Sequence, residues 1–265
     1  MNLGKVKTFL IVLFLGINIY LLISLFTSST FYIDSETIDS TVEILKTNDI
    51  DVDKEVIMKS VENLKNIDTS NVVYTEKFKK NNKNGSFQIE GDTFSCKKSF
   101  DGIYAKGEDD IKDTIEEYLE KMGFPLEYMK AGKISENKKG EKVYYISCYV
   151  DDYEIFDSKI KITLQKNNSV LIKGTWYEPL SDDVKLRSRS RDTVYITSVL
   201  VSMIQNEEIM AKAPFTITDI DYGYLAGASY GEGTHVKSSA LPYYRIKDNK
   251  GNVYYYDAQN GSYLK

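Results

Sequence analysis

Residues 107–125, GEDDIKDTIEEYLEKMGFP, carry the clearest helical pattern in the chain, and strand-like patterns lie on both sides of them. Ile111, Ile115 and Leu119 recur at helical spacing, so their side chains share one face. Acidic residues fill the first turn, a glycine suits the position after the last turn, and a proline then prevents continuation. The stretch therefore predicts one amphipathic helix.

The segments around this helix alternate in the manner of antiparallel strands. Those before it are NVVYTEKF, GSFQIEG and TFSCKKSF, with turn residues at Asn84-Gly85 and Gly91-Asp92. Those after it are KVYYISCYV, YEIFDSKIKITLQ and SVLIKGTWYEPL, and the last strands are LPYYRIKD, NVYYYDAQ and SYLK. Apolar residues at every second position between turn signals predict meanders.

Two further helices are predicted by the same spacing rules. SETIDSTVEILKTND places Ile38, Val42 and Leu45 on one face, with Asp34 or Ser35 as the N-cap. SRDTVYITSVLVSMIQNEE is helical from near Asp192. A helix followed by a meander thus recurs three times, at a spacing of roughly 75–80 residues.

An apolar segment precedes these elements, in KVKTFLIVLFLGINIYLLISLF. Residues 9–26 are eighteen residues without a charge, and at about 1.5 Å per residue a helix of that length covers roughly 27 Å, close to the thickness of a bilayer's hydrocarbon core. A cleaved signal has a shorter apolar core and a small-residue cleavage site. The sequence predicts a retained signal-anchor, and cleavage after Ser28 or Ser29 is the alternative.

Lys5 and Lys7 precede the apolar segment and predict a cytoplasmic amino terminus. Residues 1–7 are then cytoplasmic, and 8–27 are a single transmembrane helix in the cell membrane. The remainder of the chain is extracellular. Small and polar side chains within a span allow close helix contacts, but they are also common in isolated anchors. Three residues of the span are candidate partner contacts: Gly16, Asn18 and Ser24.

These observations together predict an α+β fold of repeated units, each with one helix packed on an antiparallel curved sheet, preceded by the single transmembrane helix. The first extracytoplasmic unit is residues 28–105. Residues 106–265 form the remaining α+β region, as one unit or as two units split near 184–190.

Composition limits the function classes that fit the chain. The net charge is −5, and all 39 acidic residues follow the apolar segment, which argues against a nucleic-acid partner because phosphates require a basic surface. His235 is the single histidine, too few for a histidine-based zinc site. We predict no catalytic residues, no metal and no cofactor.

The two cysteines, Cys96 and Cys148, both fall within predicted strands. Outside the cytoplasm a disulfide between them is chemically allowed, and it would stabilise the fold by roughly 4 kcal/mol in the chain-entropy model. Two separate buried thiols explain the sequence equally well.

Three of the four arginines, Arg187, Arg189 and Arg191, lie within KLRSRSR. Alternation in an extended segment puts them on one side, where guanidinium groups bind carboxylates or phosphates of a partner or of lipid headgroups. A solvated connector with weak local ion pairs is the alternative. The tyrosine-rich stretch NVYYYDAQNGSY is a second candidate contact surface, because tyrosine is common at interfaces.

Three segments resemble the YycI (WalI) family of regulators from Gram-positive bacteria: MNLGKVKTFLIVLFLGINIYLLISL, SETIDSTVEILKTNDIDVD and LPYYRIKDNKGNVYYYDAQNGSYL. The last of them also resembles the ending of YycH/PepSY-like domains. The resemblance covers most of the chain and is most specific at the two ends.

The resemblance implies a non-enzymatic, membrane-anchored accessory regulator. Its partners would be a YycH-type sibling protein and the sensor histidine kinase of the YycG/YycF (WalK/WalR) two-component system, which governs cell-wall metabolism. Contact partly through the membrane helix is also implied. A tethered module that binds cell wall or lipid, or that inhibits a hydrolase as PepSY-like domains do, is the alternative function.

Overall fold

The computed structural model describes residues 13–19, 30–180, 193–227 and 238–264. The helices are α1 (13–19), α2 (Ser35–Lys46), α3 (Glu76–Asn81), α4 (Glu108–Met122), α5 (Ile196–Met203) and α6 (Glu207–Met210). The first eight strands are β1 (Thr30–Tyr32), β2 (Ile50–Val52), β3 (Ser60–Glu62), β4 (Ile67–Asn71), β5 (Gln88–Glu90), β6 (Thr93–Ser99), β7 (Met129–Ala131) and β8 (Ser135–Glu136). The others are β9 (Lys142–Val150), β10 (Tyr153–Leu164), β11 (Ser169–Thr175), β12 (Tyr177–Pro179), β13 (Phe215–Leu225), β14 (Ser238–Asp248), β15 (Val253–Asp257) and β16 (Tyr263–Leu264).

Helix α4 confirms the prediction made from residues 107–125. It ends at Gly123, whose φ of +109° is a left-handed conformation that favours glycine. The Phe124 amide donates to the Leu119 carbonyl at 3.1 Å, which satisfies a free carbonyl of the last turn. Ile111 and Ile115 are fully buried, and each such side chain stabilises the fold by roughly 1.5–3 kcal/mol.

Helix α2 also forms where its sequence pattern predicts. Asp34 is the N-cap, and its carboxylate accepts a hydrogen bond from the Thr37 amide at 2.8 Å. Ile38 and Leu45 are buried on the inner face. Helix α5 begins at Ile196, later than the predicted start near residue 192, and the residues before 193 lie outside the described part of the chain.

Most strands of the described residues belong to one mixed sheet of fourteen strands, and β1 and β3 form a separate antiparallel pair. One half of the large sheet runs β5–β6–β11–β10–β9 and is antiparallel throughout. The other half contains β2, β13, β14, β15 and β16. The halves meet where β10 pairs in parallel with β13 at Ile155 and Tyr224.

The junction between the halves depends on Gly223 of β13. A Cβ atom there would overlap the carbonyl oxygen of Glu154 and would lie 2.9 Å from Cζ of Phe156, both on β10. Only glycine lets the two strands approach this closely. The segment of β10 from Glu154 to Phe156 therefore determines how closely β13 packs against β10 where the two halves meet.

Each half of the sheet is covered by helices over its own apolar core. In the first core α3 and α4 pack on the sheet around Phe78, Phe94, Phe124 and Trp176, and the Phe94 and Phe124 ring centroids lie 5.0 Å apart. In the second core α2 and α5 pack on the sheet around Leu45, Leu200, Tyr244, Ile246 and Tyr254.

The predicted repeat of one helix on its own antiparallel sheet is wrong. Strands β2 and β4 of the first expected unit pair with β13 and β14 near the end of the chain, so the sheet joins segments from all parts of the sequence. More than one helix covers each half, and two of the strand pairings are parallel. Strand partners are chosen by packing between distant segments, which the local alternation of apolar residues does not encode. The boundaries at 28–105, 106–265 and 184–190 stay a prediction.

The predicted single transmembrane helix over 8–27 is likewise not supported. Among the described residues no helix is long and apolar enough to cross a bilayer. The described part of this segment, residues 13–19, is helical. Residues 8–12 and 20–27 lie outside the described part of the chain.

Candidate functional site

Two of the three residues predicted for helix contact lie on α1. The Asn18 side-chain amide donates to the Phe14 carbonyl at 2.7 Å, one turn earlier. Outside the helix's own backbone, no atom of the described residues lies within 4 Å of a Cβ placed on Gly16. Ser24 lies outside the described residues. Their role as partner contacts stays a prediction.

The arginine cluster and the single histidine also lie outside the described residues. This applies to Arg187, Arg189 and Arg191, and to His235.

Cys96 and Cys148 are two separate, buried thiols. Cys96 lies on β6 and Cys148 on β9, with β11 and β10 between those strands. Three strand spacings of about 4.8 Å separate the two by at least roughly 14 Å, and Cys148 also lies four residues along β9 from the position in register with Cys96, so the separation is well beyond the ~7 Å between Cα atoms that a disulfide allows. Burial raises the pKa of Cys148 to about 12, so this thiol is unreactive near neutral pH.

An open cavity of about 440 Å³ lies where the carboxyl end of α5 and the start of α6 meet β15 and β16. Its lining is formed by Ser202, Gln205, Asn206, Glu207, Glu208, Tyr256, Gly261 and Tyr263. The volume is within the range of small-molecule sites. Part of the tyrosine-rich stretch singled out in the sequence thus lines a cavity.

Local hydrogen bonds hold the cavity's walls in place. Asn206 caps α6, and its side-chain oxygen accepts from the Glu208 amide at 3.0 Å. The Ser202 hydroxyl donates to the Val199 carbonyl at 2.7 Å within α5. Tyr256 and Tyr263 are directly paired across β15 and β16, with ring centroids 5.3 Å apart.

Tyr256 carries an unsatisfied polar group at the inner wall of the cavity. The residue is 2% exposed, and its hydroxyl has no hydrogen-bond partner among the described residues. Burial raises the pKa of Tyr256, the neighbouring Tyr263 raises it further, and the nearby Ser202 hydroxyl lowers it by less, so the phenol is neutral. An unpaired buried hydroxyl costs roughly 1–3 kcal/mol.

Among the described residues, the lining combines carboxylates, side-chain amides, hydroxyls and two aromatic rings, without a lysine, arginine or histidine. Such a wall suits a small ligand that is cationic or carries hydroxyl groups, and it disfavours an anion. The hydroxyl of Ser202 in this lining donates to the backbone carbonyl of Val199. In the part of the chain that the structure describes, no group of three His, Cys, Asp or Glu side chains is placed to bind a metal.

A buried ion network lies elsewhere, on the outer face of the junction. Arg245 of β14 contacts Glu154 of β10 and Asp221 of β13, each at 2.7 Å, and Lys247 contacts Asp221 at 2.9 Å. Burial acts to raise the pKa of Glu154, but the charges of Arg245 and Lys159 outweigh it and the pKa lies below its usual value. The charges satisfy one another, so the network connects the two halves and leaves no group free for chemistry.

The cavity was not predictable as a site from the sequence. Its walls come from α5, α6 and the terminal strands, and the only signal was the density of tyrosines in NVYYYDAQNGSY. No protein-family model matches the chain, and no curated protein matches it either.

Proposed function

We propose that the protein is a non-enzymatic accessory regulator that acts at the outer face of the cell membrane on a sensor histidine kinase of the YycG (WalK) type, together with a YycH-type partner. The proposal is motivated by the resemblance of three segments to the YycI (WalI) family and by the apolar run at residues 9–26.

The single observation that carries the proposal is the placement of the cavity. One of the two terminal segments in which the resemblance is most specific, residues 241–264, supplies Tyr256, Gly261 and Tyr263 to its wall. A regulator needs a surface that binds, and this wall has binding chemistry. The segment that supports the family assignment is thus also the segment that builds the candidate binding site.

Regulation requires that the chain binds the kinase's alternative states with different affinities. A regulator with equal affinity for both states shifts nothing, however tightly it binds. A tenfold higher affinity for one state is worth about 1.4 kcal/mol and changes the ratio between the populations of the two kinase states tenfold. Occupancy of the cavity would change that preference and make the kinase responsive to its surroundings.

The test uses the full-length chain, the full-length kinase and the YycH-type partner in detergent and then in vesicles. We expect the three proteins to co-purify, and we expect kinase autophosphorylation to change at least threefold when the chain is present. Tyr263→Ala should alter this effect, whereas Val253→Ala, an exposed apolar change on the same strand pair, should not. Absence of association, together with unchanged autophosphorylation, would refute the proposal.

The cavity also favours the second candidate function, a module that binds cell wall. Tyrosine rings with amide and carboxylate neighbours suit sugar hydroxyls, because the rings stack and the polar groups accept hydrogen bonds. Binding of the full chain to isolated cell wall that is lost in Tyr263→Ala, with no association with the kinase, would favour this function over the first.

A further inference from the structure

A set of lysines lies on the face of the first half-sheet that α3 and α4 do not cover. Ile160 and Ile162 of β10 and Ile172 of β11 are fully buried in the first core. Because successive side chains of a strand point to opposite faces, Lys161 and Lys173 point away from that core. Both are exposed, and they are directly opposite one another across the strands.

Neighbouring residues extend this patch across four strands. Lys173 pairs with Ser95 of β6, and Lys97 lies two residues after Ser95, so Lys97 is the diagonal neighbour of Lys173. Tyr145 of β9 pairs with Lys161, and Leu171 pairs with Lys97. Tyr145 is 45% exposed and Leu171 38% exposed. We call these five residues, Lys97, Tyr145, Lys161, Leu171 and Lys173, the lysine face.

The three lysines of this face have no carboxylate partner in the described part of the chain. Lys159, two residues from Lys161, does have one, because its ammonium contacts Glu154 at 3.0 Å. The charge of Lys161 reaches Glu141, but the carboxylate of Glu141 accepts its hydrogen bonds from two amide side chains, at 2.9 and 3.1 Å. An uncompensated positive patch therefore stands on a protein whose net charge is −5.

This arrangement is unfavourable for the isolated chain. Two like charges directly opposite each other on a sheet are destabilising, and opposite charges at the same positions would stabilise it. Many carboxylates are present in the chain, yet the structure places none of the described ones against these lysines. A compensating charge from another molecule would remove the cost.

We propose that the lysine face is a docking surface for an acidic protein surface. Charge complementarity requires a negative partner, and an exposed tyrosine and leucine beside the lysines are typical of the apolar part of a protein interface. Basic clusters that bind anionic lipid usually carry 4–8 Lys or Arg residues, whereas this face has three unpaired ones, so a protein is favoured over a membrane. The inference deepens the proposed function and rests on it for the identity of the partner.

The test compares the full chain with two triple variants of equal charge change. The first is Lys97→Gln, Lys161→Gln and Lys173→Gln. The control is Lys65→Gln, Lys83→Gln and Lys138→Gln, at exposed lysines elsewhere on the chain. Each is titrated at low and high salt with the kinase, the YycH-type partner, a labelled peptide of ten glutamates, and vesicles of phosphatidylglycerol with phosphatidylcholine.

We expect the lysine-face variant to lose at least tenfold in affinity at low salt for the kinase or the YycH-type partner, and for the glutamate peptide. The control should change less than twofold. Loss confined to the vesicles would overturn the proposal in favour of a membrane surface. If the kinase binds equally well to the lysine-face variant, the docking proposal is overturned and the proposed function stands. If the glutamate peptide binds through the lysines but neither the kinase nor the YycH-type partner binds, the proposed function is overturned and the docking surface stands.

A second measurement does not need any partner. Lys173→Thr should raise the thermal unfolding midpoint relative to the unchanged chain, because it removes the like-charge pair and places a good strand former on β11. Lys138→Thr is the matched control. A lower midpoint for Lys173→Thr alone would show that the lysine pair carries no cost, and the argument for an external partner would fail.

Discussion

Glu178 gives the protein a pH-dependent stability that can be measured directly. It lies on β12 and is only partly exposed, opposite Ser70 of β4. Burial raises the pKa of Glu178 to about 7, and the nearby charge of Lys77 on α3 lowers it by less. The carboxyl is therefore neutral in the folded protein at pH values where it is ionised in the unfolded chain.

The sign and size of the effect follow from the two pKa values. Below about pH 4.5 the carboxyl is protonated in both states and contributes nothing. Between pH 4.5 and about 7 the unfolded chain loses this proton while the folded protein keeps it, so stability falls as pH rises and levels off above the folded pKa. A tenfold change in proton affinity is worth about 1.4 kcal/mol, so moving the pKa from 4.5 to about 7 costs about 3 kcal/mol above pH 7.

Glu178→Gln removes this cost because the amide stays neutral at every pH. We expect the variant to be more stable than the unchanged chain by about 3 kcal/mol at pH 8 and nearly equal to it at pH 4.5. Urea unfolding, followed by the fluorescence of the single, fully buried Trp176, gives both free energies.

The matched control is Glu127→Gln, an exposed carboxyl nearby in the 3-10 helix Leu126–Tyr128. It should change stability by less than about 0.5 kcal/mol at either pH. A stability difference for Glu178→Gln that is the same at pH 4.5 and pH 8 would show that packing, not ionisation, is responsible, and the reasoning would be refuted.

Three further predictions concern the junction and the thiols. Arg245→Met should destabilise the protein by about 1–3 kcal/mol in urea unfolding, because Glu154 and Asp221 lose the guanidinium that they share while Lys159 still contacts Glu154, and adding Glu154→Gln should restore part of the loss. Gly223→Ala should cost about 1–3 kcal/mol or more, measured by thermal unfolding, since the new Cβ overlaps the β10 backbone. Cys96 and Cys148 should react with a thiol reagent without prior reduction, slowly in the folded protein and fully in denaturant.

Each of these predictions has a result that contradicts it. An additive loss for the double variant of Arg245 and Glu154 would mean that the two charges are not coupled. Gly132→Ala, whose Cβ would lie 3.4 Å from the nearest carbonyl oxygen, is the control for Gly223→Ala. An equal loss of stability at both positions would argue against the close approach of β13 to β10 at Gly223. Thiols that appear only after reduction would require a different strand arrangement between Cys96 and Cys148.

Elements whose cause is local were predictable. Helix α4 carries its own apolar face, acidic first turn and terminal Gly123, and helix α2 carries its own cap at Asp34, so each appears where the pattern indicates. These signals act between residues a few positions apart, and no distant partner is required to express them. The start of α5 was predicted less well, because no side chain caps the first turn of this helix.

The arrangement of the strands was decided only in three dimensions. Alternation in the sequence indicates a strand and its buried face, but β2 pairs with β13 and β4 with β14 across most of the chain. That choice depends on which faces fit together and on close approach at Gly223. The predicted repeat failed for this reason.

The sequence by itself determined helices α2 and α4, because their caps and apolar faces follow from preferences over a few residues. The prediction of a strand in NVVYTEKF is wrong, because this segment forms a 3-10 helix at Val72–Tyr74 and then helix α3. Only the tertiary structure decided the single mixed sheet, the separation of Cys96 from Cys148, the cavity beside Tyr256 and the meeting of Lys161 with Lys173. Each of these depends on contacts between segments far apart in the chain, and such contacts form by the joint packing of the two cores.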